Sequence, residues 1–67
     1  MDRIALIARK QEVRRQIERV NRQLEAARGV ADPKQDRRRI ARLEQQLQAL
    51  MAEEYSLRLA IDRSLYG

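Results

Sequence analysis

The sequence predicts an all-α protein: two helices folded as an antiparallel coiled-coil hairpin, which dimerises into a four-helix bundle. Three observations predict it. Apolar residues recur at three- and four-residue spacing in both halves of the chain. Helix stop and start signals stand close together in "RGVADPKQDRRR", residues 28–39, almost at the middle. Residues that favour sheets are scarce, with no Phe, Trp or Thr and only two Tyr.

The first helix is expected over residues 2–28. Its apolar positions are Leu6, Val13, Ile17, Val20, Leu24 and Ala27, spaced by 4, 3, 4 and 3 from Val13 onward. That alternation is a heptad seam, the mark of coiled-coil packing.

The turn is expected over residues 29–32. Gly29 stands where a helix end commonly turns left-handed, and Arg28 before it suits the negative end of a helix dipole. Asp32 is a good N-cap, Pro33 is favoured at the first helical position, and Gln35 can close a capping box. A loop this short joins antiparallel neighbours.

The second helix is expected over residues 33–65. Its seam runs Ile40, Leu43, Leu47, Leu50, Leu57, Ile61, spaced by 3, 4, 3, 7 and 4. In heptad letters, Ile17, Leu24, Ile40, Leu47 and Ile61 take position a. Leu6, Val13, Val20, Leu43, Leu50 and Leu57 take position d. A turn centred near residues 30–31 pairs Val20 with Ile40, Ile17 with Leu43, Val13 with Leu47, Lys10 with Leu50 and Leu6 with Glu54. Lys10 and Glu54 are polar residues at a. Either they pair across the seam and fix its register, or both snorkel to water. On the outer faces Glu18 precedes Arg22 by four, and Glu54 precedes Arg58 by four, both supportive helix pairs.

The chain has 67 residues, so it is one domain. A single core of this size is marginal unless disulfides, a metal or oligomerisation support it. There is no Cys and no His, which leaves oligomerisation. The open end of the hairpin carries the surplus apolar surface that this needs. Ile4 and Ile7 flank the first helix there. Met51, Tyr55 and Leu59, four apart, form a second stripe on the other helix. The second helix is expected to overhang the first, leaving Leu57 partly wet and Ile61, Leu65 and Tyr66 without a partner in the same chain. Exposed apolar patches of this kind mark interaction surfaces. These nine residues are therefore the expected contacts to a second copy, to a larger protein partner, or to both.

Charge supplies the competing reading. The net charge is +5. Arg28, Lys34, Arg37, Arg38, Arg39 and Arg42 crowd the hinge, with Asp32 and Asp36 the only acids between them, a local balance of +4. They are the candidate contacts to nucleic acid or to an acidic partner. Three consecutive arginines fan round about 200° of a helix and make no flat patch. Both tyrosines lie far along the chain from them, so no stacking platform for single-stranded RNA is expected.

Catalysis is not expected. Ser56 and Ser64 have no histidine to activate them, and adjacent Glu53 and Glu54 point about 100° apart on a helix. No glycine-rich phosphate loop, metal site or cofactor motif is present. No apolar run reaches a membrane span of about 18 residues, and "MDRIALIARKQ" does not read as a secretory signal. The absence of cysteine fits a cytoplasmic protein, and the preference for Arg over Lys fits a GC-rich bacterial or phage genome. The expected function is a small non-enzymatic protein–protein interaction module: an adaptor, assembly or regulatory subunit. The alternative is a basic helical bundle that binds RNA or DNA through the hinge arginines.

Overall fold

The computed structural model describes the backbone of residues 2–29 and 33–66, and the side chains of these apart from 33–35, 65 and 66. Two helices, α1 (Arg3–Arg28) and α2 (Pro33–Tyr66), pack along each other in a rod of 52 × 14 × 13 Å. The architecture is an all-α helical hairpin, with no strand among the described residues. The expected Asp32 cap, the Gln35 side chain and turn residues 30–32 lie outside the described residues.

Asp2 starts α1. Its backbone is extended (φ −77°, ψ 165°), and its side-chain carboxylate accepts the Ala5 N–H at 2.7 Å. Its carbonyl accepts the Leu6 N–H at 3.1 Å. The cap thereby satisfies one orphan donor of the first turn, and the Asp2 carbonyl takes the first intrahelical bond. At the other end Gly29 departs from expectation. Its φ is −86°, so the backbone stays right-handed there. Its N–H is shared between the carbonyls of Glu25 (3.2 Å) and Ala26 (3.3 Å), which continues the helical hydrogen bonding by one residue. A side chain at this position would meet those carbonyls at 3.6 and 3.7 Å, ordinary contact distances.

The core is the heptad seam, buried unevenly. Leu6, Val13, Val20 and Ala27 of α1 and Leu43, Leu50 and Leu57 of α2 are buried, and all occupy d positions. Only Leu24 among the a residues joins them. Ile17, Ile40, Leu47 and Ile61, also at a, are half-buried against this core. Val13 is fully enclosed, at 0 % exposure. No polar residue is buried among those described.

Two ion pairs join the helices, one on each side of the seam. Arg9 (position g) meets Glu53 (g) with Nε–Oε2 at 2.7 Å. Arg28 (e) meets Glu44 (e) with Nη2–Oε1 at 3.4 Å. Antiparallel helices pair g with g along one side and e with e along the other. On each helix g adjoins d and e adjoins a. Each side of the seam thus carries one ion pair, while the d row is buried and most of the a row is left partly open.

The same contacts correct the expected register. Pairing about residues 30–31 sets Arg28 opposite residues 32–33. From there Glu44 lies roughly 17 Å along the axis, beyond the reach of two side chains. The helices instead pair further along α2. A shift of one heptad satisfies both ion pairs and keeps a layers facing d layers, with Ala27 toward Ile40, Leu24 toward Leu43 and Leu6 toward Ile61. It also explains the missing overhang. Leu57 is buried and Ile61 half-buried in the hairpin's own core, because α1 reaches that far. The pattern alone admits either register, since slipping by seven residues returns every letter to its place.

Candidate interaction face

The large apolar side chains that stay exposed among the described residues collect at one place. Ile4, Ile7, Met51, Tyr55 and Leu59 are exposed, Ile4 by 81 %, Tyr55 by 62 % and Met51 by 55 %. Ile7 and Met51 take position e, Ile4 and Tyr55 position b beside it, and Leu59 the adjoining f. The Arg28–Glu44 contact shows that the e rows of the two helices share one side of the hairpin. Four of the five therefore lie on or next to the side where the a row is left half-open, and Leu59 lies on the outer face of α2 beside Tyr55. They sit at the open end, within about three helical turns of one another. Of the other expected contacts, Leu57 belongs to the core and Ile61 packs against it. Leu65 and Tyr66 continue α2, and their side chains lie outside the described residues.

The opposite side is fastened. Arg9 donates two hydrogen bonds to Glu53, from Nε at 2.7 Å and from Nη2 at 3.1 Å. This two-point geometry holds the Glu53 carboxyl below the ordinary glutamate range, chiefly through the hydrogen bonds and then through charge attraction. The same contact raises Arg9. On the outer surface of α1, Glu12 accepts from Arg15 and Gln16, and its carboxyl is lowered by those hydrogen bonds in that order.

The polar a residues do not pair with each other. Glu54 approaches Arg58 of its own helix at 3.9 Å, as the i,i+4 spacing predicted. Both Lys10 and Glu54 are half-buried, with room to extend toward solvent along the half-open a row. Glu18 and Arg22 form no ion pair among the described residues. Glu12–Arg15, at 3.0 Å, takes that role about two turns earlier.

The structure spreads the hinge cations apart. Arg28 is engaged with Glu44. Arg39 and Arg42, one turn apart, line an open groove of about 650 Å³ with Asp36, Leu43 and Gln46. Arg37 and Arg38 are exposed at positions e and f, off that groove. The Lys34 side chain lies outside the described residues. Asp36 brings an acid into the groove, and its Oδ2 is buried without a hydrogen-bond partner among the described residues.

Glu53 and Glu54 are each held by an arginine, and the Ser64 hydroxyl donates to the Ile61 carbonyl at 2.7 Å. Among the described residues no group of three or more acids could hold a metal ion, and no helix is long and apolar enough to cross a membrane. No protein-family model, curated protein or solved structure matches the chain.

Sequence reasoning found the apolar residues of this face but missed the Arg9–Glu53 clasp. The signal was available. Once a and d are lettered, position g opposes g in an antiparallel pair, and the two residues carry opposite charge.

Proposed function

We propose that the protein is a small non-enzymatic interaction module, an adaptor, assembly or regulatory subunit, that works through the a/e side of its open end. One observation carries this reading. Four exposed apolar residues, with Leu59 adjoining them on the outer face of α2, lie on or beside the side of the hairpin where the core itself is left half-open. Each large apolar side chain taken fully out of water gains roughly 1.5–3 kcal/mol. A face of several such residues is a strong drive to association. The working form is then an assembly of at least three helices, of which the four-helix bundle is the symmetric case. A cytoplasmic setting suits the cysteine-free composition.

Nucleic-acid binding is the second reading, and the exposed Arg37, Arg38, Arg39 and Arg42 are what favour it. It ranks below the first because Asp36 interrupts the basic surface and Arg28 is already paired. Binding through these arginines would fall steeply with salt.

Site-specific photocrosslinking in cells tests the first reading. A photoreactive residue at Met51 or Tyr55 is expected to capture a protein, whether another copy or a different chain. The same residue at Gln16, on the g side fastened by Arg9 and Glu53, is expected to capture none. Equal labelling from both sides would remove the reading.

A further inference from the structure

Resting on that reading, we infer that the occupant of the a/e face is a second copy of this chain. The two hairpins overlap at their open ends and carry their basic hinges at opposite poles.

Area is the first argument. A compact folded chain of 7.9 kDa exposes about 4,400 Å² by the ordinary scaling of surface with mass. This hairpin exposes 5566 Å², about 1,100 Å² more. A standard interface removes roughly 800 Å² from each partner. The elongated rod carries this surplus along its sides, an area of the size that one further copy covers.

Charge decides how the copies meet. The window from Arg28 to Arg42 carries +4 in each chain. Placing two hairpins side by side with their hinges together sets these windows against each other. Placing them fully overlapped and antiparallel lays the apolar end of one on the polar, basic half of the other. Overlap of the open ends alone avoids both penalties. It puts a two-fold axis across the rods beside Tyr55, the middle of the Met51–Leu59 stripe.

The residues around that axis are complementary. Arg14 (e) and Asp62 (b) lie on the a/e side, both exposed and neither in an ion pair among the described residues. In the register that the two ion pairs set, Arg14 lies level with residue 53 of α2. Rotation about the axis carries it to within about 8 Å, along the rods, of Asp62 on the partner copy, a gap that the long Arg14 side chain spans. The pair forms twice. Lys10 and Glu54, the half-buried polar residues of the a row, fall beside the same axis. Arg58 (e), already paired with Glu54, stands beside them.

The chain has no cysteine, so single cysteines report the arrangement directly. Sedimentation equilibrium of the native chain should give a dimer. With Tyr55→Cys, oxidation should join the two copies. With Arg37→Cys, at the hinge, it should not. The dimer is about 70 Å long, against 52 Å for one hairpin. Arg14→Asp should weaken dimerisation by on the order of tenfold, and Arg14→Asp with Asp62→Arg should restore it. A monomer in sedimentation overturns the inference. So does crosslinking of Arg37→Cys as fast as Tyr55→Cys, or failure of the double reversal to restore the dimer. A monomer that nevertheless crosslinks from Met51 to a different protein removes the second copy but keeps the interaction reading. A monomer that crosslinks to nothing removes both.

Discussion

The two ends of this hairpin are built from one heptad pattern and end with opposite surpluses. At the open end Ile4, Ile7, Met51, Tyr55 and Leu59 stand outside the core. At the hinge end the residues outside the core are charged: Arg37, Arg38, Arg39 and Arg42, with Asp36 among them. Each end is also tied by one interhelical ion pair, on opposite sides. Arg9–Glu53 closes the g side of the open end, and Arg28–Glu44 crosses the e side toward the hinge. The open end is thus held shut on one side while its other side stays apolar and uncovered. Internal packing and outward binding can occupy neighbouring positions without competing, because the d row serves the first and the e and b positions serve the second.

The largest expected effect separates these two uses. Leu50 is buried at d, and Met51 beside it is exposed at e. Leu50→Ala should cost about 2–5 kcal/mol, a large part of the margin of a small domain. Met51→Ala should change the stability of the dilute hairpin by less than about 0.5 kcal/mol. Denaturant titration at low concentration measures both. Equal losses would mean that the core and the face are not distinct.

The helix ends give the next contrast. Asp2→Ala removes the cap that holds the Ala5 N–H and should cost roughly 0.5–2 kcal/mol. Gly29→Ala at the hinge should be tolerated, with a gain of about 0.4–1 kcal/mol, because the backbone there is right-handed and the added methyl meets no close atom. Thermal melting distinguishes the two, and a loss from Gly29→Ala would show that this end needs glycine after all.

The smallest expected effect concerns acid. Glu53 has its pKa lowered by Arg9 in the folded state. Its contribution is therefore complete above the ordinary glutamate pKa and is lost as pH falls through the lower folded value. Glu53→Gln should flatten stability against pH in that acid window and leave neutral pH almost unaffected, since the pair is solvent-exposed. Titration of the carboxyl by NMR should place it below its value in an unstructured peptide.

The sequence carried the hairpin legibly because heptad spacing and punctuation act locally. Val13, Ile17, Val20 and Leu24 name a seam without reference to any other helix. Two features were not local. The register is degenerate over seven residues, and Arg28 meeting Glu44 resolves it only when both helices are in place. The uneven closure of the seam is a rotation of each helix about its own axis. Position letters leave that rotation free, so the letters alone could not tell buried Leu57 from half-buried Ile61. The apolar surplus at the open end was visible as Ile4, Ile7 and the Met51–Tyr55–Leu59 spacing. Which side of the hairpin it occupies needed the structure.

The most direct test of the central claim, that the a/e side of the open end is a contact face for another copy, is melting against protein concentration. Folding linked to self-association makes the melting temperature rise with concentration. Over about a hundredfold range the native chain should show that rise, and the Ile7→Asp, Tyr55→Asp double variant should lose it while keeping helical circular dichroism in dilute solution. A native chain that melts at one temperature across the whole range would contradict the claim.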